Sequence, residues 1–207
     1  MDARPAGRVN QDKHKNQTEA EMKTTVMACL LSILWFGCSH NPVSPSPNPE
    51  QNTAKYKLGD VDSFAASYGK GLQLMSVSSR NVNQNGTSDT WSFQFSDTST
   101  PPTSYLFHCK SGDVGFDSTC PTGVGSGFIR NKGWFNSDSA LAIAEQNGGS
   151  QFRAQNPHFT IMASVGIAVV PNPRTEWDIT YQSNDSYSSL LVLRIDAITG
   201  AIIAKYE

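Results

Sequence analysis

Trp177-Asp178-Ile179-Thr180-Tyr181 alternates apolar and polar side chains, and Trp91-Ser92-Phe93-Gln94-Phe95 does the same earlier in the chain. Strict alternation sends successive side chains to opposite faces of a strand. Each segment therefore predicts a half-buried strand with its tryptophan in the core. Similar features follow both. Ser104–Cys109 is an apolar-rich run leading to Gly112, and Leu190–Asp196 is another leading to Gly200. From Trp91 to Gly112 is 21 positions and from Trp177 to Gly200 is 23. Leu72–Val77 and Phe159–Val165 read as strands ahead of the two tryptophans, Pro171-Asn172-Pro173 breaks the chain, and Ala201–Ala204 follows the last turn.

A helix pattern precedes each set. Val61, Phe64, Ala65 and Tyr68 have the spacing of one helix face, with Asp60 or Asp62 as cap and Gly69 and Gly71 as stop. Asn136–Asn147 is Ala-rich, with Ser137 or Asp138 as cap and Gly148-Gly149 as stop. The order helix, strand, Trp strand, apolar strand, Gly turn thus occurs twice. The expected fold is α+β with two similar halves, each a short helix packed on an antiparallel sheet. The halves fall at 56–118 and 136–207, joined by a Gly-rich connection at 119–135.

Asp138-Ser139-Ala140-Leu141-Ala142-Ile143-Ala144, the Trp177 strand, and Ile195-Asp196-Ala197-Ile198-Thr199-Gly200-Ala201-Ile202 together resemble a PepSY-type domain over roughly 136–204. The first half resembles a degenerate copy, with His108-Cys109-Lys110-Ser111-Gly112 standing where the second has Asp196–Gly200. The resemblance implies a PepSY/cystatin-like helix across an antiparallel sheet. It also implies extracytoplasmic proteins that bind or restrain other proteins, peptidases among them, without catalysis. The turn has a physical sense of its own: Asp196 can accept from the following backbone N–H groups, and Gly200 supplies a positive φ.

The N-terminus reads as an address. Lys23 precedes an apolar run from Val26 to Phe36, 11 residues, too short to span a bilayer as a helix and suited to a secretory signal. It ends at Gly37-Cys38, which resembles the lipobox of bacterial lipoproteins. That resemblance implies cleavage before Cys38, acylation of Cys38 and anchoring to a membrane. With Ser39 rather than Asp next, it implies the outer membrane in a Gram-negative cell. Residues 1–21 read as an extension upstream of a start at Met22, so 1–37 is expected to lie outside the folded protein. The stretch 38–55, with Pro42, Pro45, Pro47 and Pro49, reads as an extended tether.

Of four cysteines, Cys29 lies in the signal and Cys38 is the lipid site. Cys109 and Cys120 remain, and in an oxidising compartment they predict one disulfide, contributing about 2–3 kcal/mol. The alternative is a metal site from His108, Cys109 and Cys120, although adjacent His and Cys make poor ligand geometry.

Lys plus Arg is 16 and Asp plus Glu is 18, so the net charge of −2 leaves no basic excess for nucleic acid. Gly123-Val124-Gly125-Ser126-Gly127-Phe128 lacks the third glycine and the preceding strand of a phosphate loop, and reads as a linker. His108 and His158 are the histidines of the folded part, but no paired carboxylate is legible beside either. Trp134-Phe135 reads as a hydrophobic staple at the second helix start rather than a recognition patch. The reading is a non-enzymatic, cofactor-free, lipid-anchored envelope protein with a protein or peptide partner. An envelope-assembly accessory role or a small-ligand site in the α+β cone are the alternatives.

Overall fold

The computed structural model describes residues 49–121, 128–129, 133–168, 173–186 and 189–207, all within the compact unit Pro47–Glu207. Cys38, most of the tether and Gly123–Gly127 lie outside the described residues. A 3-10 turn at Pro49–Asn52 leads into α1 (Ala54–Ala65), then β1 (Gln73–Ser79), β2 (Thr90–Ser96), β3 (Thr103–Lys110) and β4 (Asp113–Pro121). Next come α2 (Ser137–Ala144), a π-helical segment (Glu145–Gly149) and α3 (Ser150–Gln155). The chain closes with β5 (Phe159–Ala168), β6 (Arg174–Ser183), β7 (Leu190–Asp196) and β8 (Ile202–Tyr206). The protein is α+β, with one eight-stranded sheet in the order β4-β3-β2-β1-β5-β6-β7-β8. Every neighbouring pair is antiparallel, including β1 with β5 at the centre.

Alternation assigns the two faces. Trp91, Phe93 and Phe95 of β2 share one face with Phe107 and Cys109 of β3, and Trp177, Ile179 and Tyr181 of β6 with Leu191, Leu193 and Ile195 of β7. Val77 opposite Val165 carries this face across the central pair. All of these are buried, and Ala54, Leu58, Val61 and Ala65 of α1 and Ala140, Leu141 and Ala144 of α2 close over them. Each fully buried large side chain contributes about 2–3 kcal/mol. Both indole N–H groups are satisfied: Trp91 Nε1 donates to Asn52 O at 2.9 Å, and Trp177 Nε1 to Phe135 O at 3.0 Å. Trp134 is buried edge-on to Trp177, ring centroids 5.8 Å apart, so it is a core residue and presents no surface patch.

Several expectations need correction. The first helix starts at Ala54, not at Asp60 or Asp62, which fall inside it. Thr53 and Ala54 are buried, so the folded region takes in the end of the presumed tether. The start is set by residues some 80 positions away. Ser137 Oγ accepts from Ala54 N–H (3.1 Å), Asn136 Oδ1 accepts from Lys55 N–H (2.9 Å), and Asn136 Nδ2 donates to Thr53 Oγ1 (2.7 Å). These bonds satisfy N–H groups that a helix leaves open at its first turn. A local cap is unnecessary. β4 extends the first run of strands to Pro121, past the boundary expected at 118.

Gly148-Gly149 kinks the second helix rather than stopping it. Gly148 has φ +124°, and the chain resumes as α3. A Cβ on Gly149 would lie 2.5 Å from Tyr181 Oη. That close approach lets Tyr181 donate to Glu145 Oε1 at 2.9 Å, while Arg153 Nη2 and Ser150 Oγ reach Glu145 Oε2 at 2.6 and 2.9 Å. Burial opposes the charge on Glu145, but the bonds from Arg153, Ser150 and Tyr181 prevail and hold its carboxyl below the usual glutamate range. Burial, reinforced by Glu145, pushes the Tyr181 phenol up, so it remains a protonated donor. A folded value below the unfolded one stabilises fully above the ordinary glutamate value of about 4.3 and is lost as pH falls through the folded value. Between about pH 6 and about pH 2, thermal midpoints of Glu145→Gln are therefore expected to fall less steeply than those of the unaltered protein.

Candidate functional site

The helices cover one face of the sheet, and among the described residues no helix covers the other. Cross-strand register places Gly115, His108, Ser92, Ser78, Ser164, Asp178, Arg194 and Ala204 in one row across all eight strands of that open face. Neighbouring strands are about 4.8 Å apart. A second row runs Leu106, Gln94, Ser76, Gly166 and Glu176. In these two rows the floor over β2, β1 and β5 is made of small hydroxyl side chains, glycine and one glutamine, and Met162 stands next to Ser164 along β5. Ser78, Ser92 and Ser164 make no side-chain hydrogen bond to any described residue, so their hydroxyls face outward unpaired.

Larger groups stand on both sides of this floor. On β3, His108 Nδ1 lies 2.6 Å from Asp117 Oδ1. The ring leans over Gly115, where a Cβ would meet Nε2 at 2.6 Å. It therefore points toward β4 and away from Ser92, and no serine–histidine relay forms. On β6 and β7, Glu176 is buried between Arg174 and Arg194, bonding to both. Arg194 Nε also lies 3.5 Å from Asp178.

His158 Nδ1 lies 3.1 Å from Asp185, but both side chains are largely exposed. So His108 and His158 each have a carboxylate neighbour that sequence spacing did not reveal. Neither lines the cleft of about 580 Å³ between α1 and β1, nor that of about 550 Å³ beside β5. His108 and Cys109, consecutive on β3, face opposite sides of the sheet and cannot share an ion. Among the described residues no group of three His, Cys, Asp or Glu could hold a metal.

The Cys109–Cys120 disulfide is not formed; both thiols are free, Cys109 buried and Cys120 exposed. Cys109 pairs with Val114 and Cys120 with Ser104, which sets the two cysteines about 17 Å apart along the strands. A disulfide needs Cα atoms within about 7 Å. Burial pushes the Cys109 thiol up, with Lys57 opposing, which keeps it protonated and inert. Brief alkylation of the native protein is expected to label Cys120 and leave Cys109 untouched until unfolding. Peptide mapping checks this.

Asp196 Oδ1 accepts from Ile198 N–H (3.0 Å) and Thr199 N–H (2.8 Å), and Gly200 has φ +77°. These bonds hold the Asp196 carboxyl low and close the turn between β7 and β8. Trp91 and Trp177 are fully buried. What sequence reading missed is the open face itself. Its signal was present in the polar partner of each alternating strand, Ser76 and Ser78, Ser92 and Gln94, Asp178 and Thr180. Only the register shows that these share one surface. No helix among the described residues is long and apolar enough to cross a membrane. Comparison with protein-family models, with curated proteins and with solved structures finds no match to this chain.

Proposed function

We propose that this chain is a lipid-anchored, extracytoplasmic, non-enzymatic module that binds another protein on the open face of its sheet, held at the bacterial envelope through acylated Cys38. The observation that carries the reading is the row of unpaired hydroxyls at Ser92, Ser78 and Ser164, flanked by His108–Asp117 and Asp178–Arg194. A broad polar floor with ionisable side chains at its margins suits a wet protein–protein contact. We also read the fold as two PepSY-like halves. In support, Trp91 and Trp177 each bond to the carbonyl two residues ahead of a helix, Asn52 before Ala54 and Phe135 before Ser137. The pairings Phe93–Phe107 and Ile179–Leu193 also occupy equivalent places two residues along from the tryptophans.

Photo-crosslinking side chains placed singly at Ser78, Ser164 and the exposed Tyr56 of α1 test the binding reading in cells. One shared adduct from Ser78 and Ser164, absent from Tyr56, supports it. Adducts from Tyr56 alone, or none from the sheet positions, overturn it. Replacing Cys38 by alanine should release the protein from the membrane fraction. Unchanged fractionation would sink the anchoring.

A further inference from the structure

A groove of about 550 Å³ lies beside the start of β5. Its walls are Asn81, Val82, Asn83, Gln84 and Asn85 from the β1–β2 loop, and Phe159, Thr160 and Ile161 from β5. Four of these eight side chains are carboxamides, and none is charged. A carboxamide offers donors and an acceptor on one planar group. Ligand hydroxyls likewise both donate and accept. Charged lining would be needed to select an ion, and it is missing from these walls.

The loop is rigidly held. Val82 N–H donates to Ile161 O (2.9 Å), Asn83 N–H to Thr87 O (2.8 Å), Gly86 N–H to Asn83 O (2.8 Å), and Ser137 Oγ to Gly86 O (2.6 Å). Its amides nevertheless retain unused capacity. The Asn81 and Gln84 side chains bond to no described residue. Asn83 uses its Nδ2 on Thr87, which leaves Oδ1 open, and Asn85 uses Oδ1 on Thr87, which leaves Nδ2 open. Across the groove, Thr160 Oγ1 donates to Asn184, so its lone pairs remain available. Phe159 is half-buried, packed against the core with the Arg153 guanidinium 5.9 Å from its ring centroid, and borders the groove with what remains exposed. The fixed loop backbone keeps the ordering cost of binding to that of the side chains themselves.

We propose that this groove binds a neutral saccharide, its hydroxyls meeting the carboxamides of Asn81, Asn83, Gln84 and Asn85 and its C–H surface bordering the exposed edge of Phe159.

Cellotriose, maltotriose, chitotriose and mannotriose, with trialanine as a neutral peptide control, are titrated into the protein and followed by amide NMR. At least one trisaccharide is expected to shift the resonances of 81–85 and 159–161 at about 10 mM or below, with trialanine inert. Asn81→Ala and Gln84→Ala together should weaken that binding about tenfold while leaving the thermal midpoint unchanged, because neither side chain has a partner to lose. Three results overturn the proposal: no trisaccharide response at these residues, a stronger response to trialanine, or binding that the double variant leaves intact.

Discussion

Replacing Gly86 by alanine is expected to destabilise the fold by about 3–5 kcal/mol, a large share of a domain's stability. Gly86 has φ +79°, where an L side chain is strained. A Cβ there would press into the backbone of Ser137 and Asp138, closer than 3.0 Å. Backbone cannot yield as a flexible side chain can. The displaced loop would also lose the bond from Ser137 Oγ to Gly86 O, and Ser137 caps Ala54 as well. One added methyl therefore disturbs the start of α2, the start of α1 and the β1–β2 loop together. Urea unfolding at constant m-value measures the loss. A shift below about 1 kcal/mol would mean that the loop does not lock the two helices. Gly59, in open space on α1, is the control, where alanine is expected to stabilise slightly.

Replacing Trp177 by alanine is expected to cost about 3–5 kcal/mol. The ring is fully buried against Trp134, and its N–H holds Phe135 O. Truncation leaves a cavity and an unpaired carbonyl just before α2. Trp91→Ala should cost a comparable amount, because its ring is equally buried and its N–H holds Asn52 O just before α1. Phenylalanine at either position restores most of the volume but not the bond, so it should recover more than half of the loss. Chemical denaturation of the four variants checks both points. If Trp91→Ala costs far less than Trp177→Ala, the two indoles do not play equivalent roles.

Much of the fold was legible because its signals are local. The alternation in Trp91–Phe95 and Trp177–Tyr181 decided which side chains face the core, and no distant residue was needed to read it. Asp196 and Gly200 likewise make their turn from adjacent backbone. The errors lay where the governing contact is remote. The start of α1 depends on Asn136 and Ser137, so a search for a nearby cap settled on Asp60 and Asp62. The Gly148-Gly149 pair has the composition of a helix stop, yet Tyr181 on β6 turns it into a bend.

The candidate surfaces divide in the same way. Sequence alone determined that the strands are amphipathic, that two buried tryptophans anchor them, and that no charge excess favours nucleic acid. Tertiary structure decided the rest. Strand register, a relation between residues far apart in the chain, placed Ser92 beside Ser78 and Ser78 beside Ser164. It also set Cys109 and Cys120 on adjacent strands too far apart to bond, because spacing along the chain gives no distance once a hairpin has turned. Alternation is a property of one strand and survives in the sequence, whereas a surface belongs to several strands at once and exists only after they have paired.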